Sequence, residues 1–280
     1  AQRSIDIQTY IWVYDRCGSH IFRELLDAAR RGVKVRILVD QFVSPQIPAE
    51  EYAALIIAHE NLELRLFRPI SGAAINSTWD LTANSLARAY SMNYRMHNKL
   101  MLVDNAAAIV GGRNYQDAYF DRDPQFNFLD REVIFMGPAC SKAAESFLVF
   151  WNDKESYEAS RLKDLRRIIE TEQSTLPHLV QNGKGSDFPE IDQLANVADL
   201  SAVRPSLKVW PVDHVRYVSD LPEKLRHTST LLHRNPFFIF TSLSVYPAQC
   251  CRHSAVELAL VELYILVATR AFRSLQLMGA

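Results

Sequence analysis

The order of patterns in the first 40 residues restricts the fold more than any other feature of this sequence. Every second residue from Ile5 to Val13 is β-branched, which is the period of a strand with two unlike faces. Apolar residues then recur at helical spacing from Ile21 to Ala29, and Gly32 ends that helix. Residues 33–39, VKVRILV, form a second strand pattern. Two strands joined by one helix predict a parallel pair with a right-handed crossover.

The same alternation continues to about residue 171 and predicts an α/β domain. Further strands are predicted at 62–67, 99–104, 107–110 and 132–136, and further helices at 48–60, 138–152 and 157–171. Residues 68–96 are polar and irregular, and so long a connection indicates a functional segment.

The remainder of the chain divides into a linker and a second region. Residues 172–205 are polar, with Gly-Lys-Gly-Ser at their middle, and are interpreted as a linker. Residues 206–218 have the pattern of one or two strands, and residues 206–280 are interpreted as the start of a second, incomplete or divergent half. Because the chain opens with Ala1 and enters a strand pattern at once, we expect a fragment or a processed product.

Charge and cysteine content argue against several classes of protein. A net charge of -1 does not provide an overall basic coat for nucleic acid, although a local basic patch stays open. The 4 cysteines have neither zinc spacing nor the pattern of a disulfide framework. No stretch of roughly 18 uncharged apolar residues predicts a transmembrane helix.

The residues with chemical potential are concentrated in residues 95–114, RMHNKLMLVDNAAAIVGGRN. His97 and Lys99 lie two apart at the start of a predicted strand, so both side chains point to one face. Met101 and Val103 share that face. The site must therefore lie at the end of the strand, where the apolar core gives way to a cleft.

The following strand leads to two glycines and an asparagine. Gly111 and Gly112 lack side chains where a bulky anion would need room near the backbone. Asn114 supplies an amide donor. An imidazole nucleophile, an ammonium group and an amide that converge on one point suit attack on a phosphodiester through a covalent intermediate.

Each of these residues also has a structural interpretation. Taken alone, His97 would be a structural histidine and Lys99 a solvated surface lysine. Asp104 has the position of a hairpin turn residue, and this interpretation has even weight with a chemical role. Asn114 could cap a following helix, which is compatible with binding phosphate.

The spacing His-x-Lys-x4-Asp-x6-Gly-Gly-x-Asn, within residues 92–119, resembles the HKD motif of the phospholipase D superfamily. The flanking sequences SIDIQTYIW, AARRGVKVRILVD and GGRNYQDAYF are similar to bacterial cardiolipin synthases, especially the C type, over about residues 1–157. The sequence VRYVSDLPEKL, at 215–225, is similar to the entry into that family's second half.

The resemblance implies a phospholipase D-like domain at residues 1–171, built as an α/β/α sandwich with a mixed, largely parallel sheet. It implies His97 as the nucleophile or its partner acid/base, and Lys99 and Asn114 as phosphate ligands beside the two glycines. Asp104, the third member of the motif, is expected to be more structural than chemical. No metal or cofactor is expected.

A carboxylate after the motif usually orients the histidine through its second ring nitrogen. Asp130 and Glu132 both have a suitable position, and Asp130 is preferred. As an alternative, both are surface charges.

The implied activity is that of a cardiolipin synthase-type phosphatidyltransferase acting through phosphohistidine. Its substrates would be phosphatidylglycerol or a similar phospholipid and an alcohol acceptor, at the cytoplasmic face of the membrane as a peripheral protein. Two rivals remain: a dimeric HKD nuclease, against which the charge and the flanking sequence count, and a non-catalytic remnant that binds anionic lipid. The basic residues in 161–167 are interpreted mainly as a solvated helix face, with lipid contact as a minority interpretation.

Transfer by this mechanism needs two histidines, yet the chain contains a single His-x-Lys sequence. A symmetric homodimer would supply the second histidine. We favour a truncated first half, because residues 215–225 resemble the start of a second half. A single chain is then expected to have little activity and to self-associate through its uncovered face.

Overall fold

The computed structural model describes residues 1–41, 49–69, 72–75, 95–172 and 210–222, together with the backbone of 242–246. Seven strands form one sheet: β1 Ser4–Thr9, β2 Lys34–Asp40, β3 Leu62–Phe67, β4 Leu100–Val103, β5 Ala107–Gly111, β6 Glu132–Met136 and β7 Ser156–Glu158. The helices are α1 Arg16–Arg30, α2 Ala49–Ile56, α3 Ala139–Trp151 and α4 Lys163–Glu172. A separate pair, β8 His214–Val218 and β9 Ser242–Tyr246, is antiparallel.

The ends of the first elements follow from local chemistry. Thr9 ends β1 earlier than the predicted strand, because its hydroxyl donates to the Ile11 carbonyl and bends the chain. Asp15 caps α1 by accepting from the Gly18 amide at 2.9 Å. Gly32 follows α1 with a φ of 88°, a conformation that favours glycine and stops the helix as predicted.

The strand order is β6-β5-β4-β1-β2-β3-β7, and the α/β class with a mixed sheet is confirmed. The expectation that the sheet is largely parallel is wrong. Only β1, β2 and β3 run parallel, and the other four pairings are antiparallel. α1 and α2 provide the crossovers between the parallel strands. β4 and β5 are joined by a turn of three residues, which forces this pair to be antiparallel.

Helices cover both faces of the sheet and produce the expected α/β/α sandwich. One face holds buried Ile7 and Ile37 against Ile21 of α1. The opposite face holds Leu102 against Phe147 of α3. α2 and α4 contribute buried residues to the α1 side. Among the described helices, none is both long and apolar enough to cross a membrane.

Two predicted elements differ from the structure or lie outside it. The helix predicted at 157–171 begins later, because residues 156–158 pair with β3 as an edge strand and the helix starts at Lys163. Most of the polar segment 68–96 and nearly all of the predicted linker 172–205 lie outside the described residues.

The sheet topology brings several loops to one end of the sheet. The register pairs Gln8 with Leu100, Leu100 with Val110, and Gly111 with Glu132. The end of β1, the start of β4, the end of β5 and the start of β6 therefore share one end of the sheet. The carboxyl ends of β2 and β3 lie there too, which is where open α/β sheets hold their ligands.

Candidate functional site

His97 and Lys99 lie immediately before β4, at this end of the sheet. Met101 and Val103 pack into the core under α1, as the predicted parity requires. His97 is exposed and Lys99 is half-buried. The Lys99 ammonium donates a hydrogen bond to the His97 carbonyl oxygen at 3.1 Å, which holds the two residues together.

Lys99 is an ammonium group in poorly hydrated surroundings. Burial lowers the pKa of Lys99 to about 8, against the opposing effect of the Asp130 carboxylate. A cation whose own hydration is incomplete gains more from an incoming anion than a fully solvated lysine does. The side chain is therefore suited to hold a phosphate oxygen.

Tyr10, which sequence reasoning missed, completes this part of the site. Its ring centroid lies 4.1 Å from that of His97, with 36° between the ring planes. The Lys99 Nζ lies 5.6 Å from the same ring centroid. Tyr10 follows the last residue of β1 directly, and β1 pairs with β4. In the sequence, Tyr10 is an aromatic residue within the first predicted strand, but the pairing of β1 with β4 that brings it to His97 is not visible there.

Gly111 and Gly112 have a different role from the one predicted. A Cβ on Gly112 would overlap the carboxylate of Asp130, and a Cβ on Gly111 would overlap the backbone and side chain at the start of β6. The missing side chains therefore leave room for protein. They allow Asp130 to approach the site closely, where the sequence suggested open space for an anion.

Asn114 is buried, and its carbonyl oxygen is occupied. Its Oδ1 accepts from the Ile11 amide at 3.0 Å, which ties the loop after β5 to the loop after β1. The side chain also hydrogen-bonds the Tyr119 hydroxyl. The short helical turn that follows, Asp117–Tyr119, is preceded by Gln116 without a side-chain cap, so Asn114 does not cap it. The Asn114 NH₂ group donates to the Tyr119 hydroxyl and has one further N–H bond.

Asp130 and Glu132 are placed differently. Asp130 lies over Gly112, and its charge opposes the larger effect by which burial lowers the pKa of Lys99, so it belongs to the same cluster. Glu132 forms an ion pair with Arg113 at 3.4 Å. Burial raises the pKa of Glu132, and Arg113 opposes that effect. A small pocket beside Lys99 is lined by Thr9, Lys99, Gly111, Arg113, Tyr115 and Glu132.

Asp104 lies apart from His97 and Lys99. It occupies the β4–β5 turn with a φ of 54°, about 17 Å along the strand from Lys99. Its carboxylate accepts from the backbone amides of Gln2, Arg3 and Ser4 at 2.9, 2.7 and 2.8 Å. Partial burial acts to raise the pKa of Asp104, but these amides outweigh it and the net pKa is lowered. Asp104 therefore lies at the opposite end of β4 from His97 and Lys99, where its contacts are those of a structural turn residue.

In the part of the chain that the structure describes, no group of three His, Cys, Asp or Glu side chains is placed to hold a metal ion. The site instead combines an exposed imidazole, a desolvated ammonium and an amide donor at the end of a mixed sheet. An imidazole can act as a nucleophile and an ammonium can hold an anion, so this arrangement suits a phosphate-handling class of α/β domain.

Comparison with known families agrees with that class. The family model described as "Cardiolipin synthase, PLD-like domain" matches residues 1–151, which is more than half of the chain. The chain belongs to this family, and the predicted membership of the phospholipase D superfamily is confirmed.

Individual relatives cover the same region. An uncharacterized protein of Helicobacter pylori is 42% identical over 168 residues, which are 60% of this chain and 32% of that protein. Cardiolipin synthase C of Escherichia coli is 35% identical over 165 residues, 59% of this chain and 33% of that enzyme. Nuc, a phospholipase D family member of Salmonella typhimurium, aligns in three dimensions with a TM-score of 0.37 at 19% identity, over 56% of this chain and 84% of Nuc. The chain spans about a third of the length of the curated relatives it matches.

Proposed function

We propose that this domain belongs to a phosphatidyltransferase that moves a phosphatidyl group from a phospholipid such as phosphatidylglycerol to an alcohol. The observation that carries the proposal is the pairing of exposed His97 with desolvated Lys99 at the same sheet end as Asn114. Membership of the cardiolipin synthase family supports the choice of substrate.

In the first step, an imidazole nitrogen of His97 forms a bond to phosphorus while the bond to the departing glycerol oxygen breaks. That oxygen takes a proton from a second acid, which we expect to be a histidine from another segment or a second copy. Lys99 and the Asn114 NH₂ group offset the charge that grows on the other phosphoryl oxygens. In the second step, the acceptor oxygen bonds to phosphorus, the nitrogen–phosphorus bond breaks, and the acceptor's proton passes to the group that acted as acid.

We propose further that the site works at a membrane surface, peripherally and on the cytoplasmic face. Support comes from the loop between Phe120 and Asp130, where Leu129 is 99% exposed and Phe126 is 60% exposed. Backbone amides of this loop donate to the Asp123 carboxylate, so the loop has a defined shape. Exposed apolar side chains directly before Asp130 would meet the acyl region of a lipid whose phosphate reaches Lys99.

The substrate class is tested by offering both candidates under the same conditions. The full chain is mixed with phosphatidylglycerol vesicles and, separately, with plasmid DNA, each with a chelator present. We expect slow, chelator-resistant release of glycerol from the vesicles, intact plasmid, and no release by the His97→Asn variant. Nicking of the plasmid with unchanged vesicles would favour a nuclease. Binding of inorganic phosphate with neither reaction would indicate a non-catalytic remnant.

A further inference from the structure

Tyr10 touches both residues on which the proposed chemistry depends. Its ring lies 4.1 Å from the imidazole of His97, and its face lies 5.6 Å from the Lys99 ammonium. The ring is half-buried, whereas His97 is exposed. Tyr10 therefore forms the protein-side support on which an otherwise exposed imidazole rests.

A buried ion pair fixes the surroundings of this ring. Asp40 is fully buried at the end of β2 and binds the Arg95 guanidinium at 2.7 Å. The second oxygen of Asp40 accepts from the Met96 amide at 3.0 Å, directly before His97. Burial, Asp40 and Arg95 all act on the Tyr10 hydroxyl, and burial, as the largest effect, raises the pKa of Tyr10 to about 12. The phenol thus stays neutral, next to a rigid support that also holds the chain entering His97.

The electron distribution of an aromatic ring adds a chemical effect to this support. The face of the ring is negative and attracts cations, whereas packing of one ring on another restricts rotation. Contact with Tyr10 therefore favours the protonated form of His97, restrains the angle of its ring, and attracts the Lys99 ammonium. The restrained ring angle and the nearby ammonium serve His97 as nucleophile and as acid, whereas the preference for the protonated form serves only the acid role.

We propose that Tyr10 is a positioning residue that orients the His97 imidazole and holds the Lys99 ammonium beside it. The assignment of a catalytic purpose rests on the proposed function of His97, but the ring contact can be tested without any reaction. The ring should act through its face, so the hydroxyl group should be dispensable.

Nuclear magnetic resonance of the full chain with labelled histidine tests the contact. The His97 ring proton signal, assigned by its loss in His97→Asn, should be displaced upfield by the Tyr10 ring current in the unmodified chain. Tyr10→Leu should remove that displacement and lower the pKa of His97 by about half a unit, the size expected of an exposed cation–ring contact. Tyr10→Phe should retain both. Tyr157→Leu, at an exposed tyrosine of the edge strand β7, is the matched control and should change neither.

A single-turnover reaction with bis(p-nitrophenyl) phosphate then tests the purpose. We expect Tyr10→Leu to slow the release of nitrophenol by about tenfold or more and Tyr10→Phe to slow it less than threefold, as an oriented catalytic group requires. A His97 signal without ring-current displacement in the unmodified chain would overturn the proposal, even if Tyr10→Leu does not fold. A His97 titration unchanged in folded Tyr10→Leu would do the same. Ring-current effects as expected, but no nitrophenol from any variant, would refute the proposed function and leave the contact standing.

Discussion

Replacing Lys99 with methionine should make the chain more stable while it removes the site's positive charge. Methionine keeps most of the apolar stem of the lysine and deletes the ammonium group. Binding sites often retain groups that are unfavourable for folding, because a ligand repays the cost when it binds. Lys99 fits that description, since its surroundings favour the uncharged amine.

The magnitude follows from the pKa of Lys99. Burial lowers this pKa from 10.5 to about 8, although Asp130 opposes the change. That difference corresponds to about 3 kcal/mol of unfavourable free energy for the charged form in the folded protein at pH 7. Methionine also loses the hydrogen bond from a charged donor to the His97 carbonyl and the contact with the Tyr10 ring, together about 2 kcal/mol. The expected net gain in the free energy of unfolding is therefore about 1 kcal/mol.

The pH dependence gives this prediction its sign. Below pH 8 the lysine is charged in both the folded and the unfolded chain, so the full cost is present. Between pH 8 and 10.5 the folded chain loses the proton first, the cost declines, and the unmodified chain becomes more stable relative to Lys99→Met. The advantage of the variant should be complete at pH 7 and nearly absent at pH 10.5.

Urea unfolding followed by circular dichroism, at pH 7 and pH 10, measures these differences. Lys99→Arg is the matched control, because it keeps the charge and should show no gain. Lys99→Met should also slow the covalent modification of His97 by bis(p-nitrophenyl) phosphate, followed as nitrophenol release, by about 10² or more. A Lys99→Met chain that is less stable at pH 7, or whose advantage is the same at both pH values, would refute the argument.

Three further substitutions test separate parts of the site. Asp104→Asn places an amide donor against backbone amides and should lower the free energy of unfolding in urea by about 1–2 kcal/mol. Phosphate binding measured by calorimetry should not change. Unchanged stability with weaker phosphate binding would indicate that Asp104 acts in the site. Gly112→Ala should displace the Asp130 carboxylate and therefore slow nitrophenol release from bis(p-nitrophenyl) phosphate as much as Asp130→Ala does. A double variant that is much slower than either single variant would show that the two residues act independently. Leu129→Asp should weaken flotation with anionic vesicles several-fold, whereas Met136→Asp, at an exposed apolar residue at the opposite end of the sheet, should not; equal effects would argue against a specific membrane-facing loop.

The fold was largely predictable because its main elements depend on local patterns. The strands at 62–67 and 132–136 have the predicted bounds, since alternating apolar residues in the first and a short apolar run in the second are sufficient to define them. The parity of His97 with Met101 follows from the period of a strand, and the core contacts of Met101 agree with it. Strand direction was less predictable. It depends on the length of each connection, and a run of strands alone does not reveal which ones have a helical crossover.

The remaining differences come from contacts between distant parts of the chain. Residues 156–158 form a strand only because β3, about 90 residues earlier, offers an unpaired edge. Period-two alternation places Tyr10 on the opposite face from Thr9, but the bend that follows Thr9, held by the bond from the Ile11 amide to Asn114, ends the alternation. The stacking of Tyr10 on His97 could therefore not be derived from the strand pattern. The role of Gly112 also depends on the Asp130 carboxylate, which comes from the loop before β6.

Covalent trapping on His97 is the most direct measurement of the proposed chemistry. With bis(p-nitrophenyl) phosphate the departing nitrophenolate needs no proton, so one histidine suffices for the first step even without its expected partner. We predict a burst of about one nitrophenol per chain, unaffected by a chelator, with the phosphoryl group located on the His97 imidazole by mass spectrometry at alkaline pH. His97→Asn should give no burst. A phosphoryl group on another residue, or a burst that a chelator abolishes, would contradict the assignment of His97 as the nucleophile.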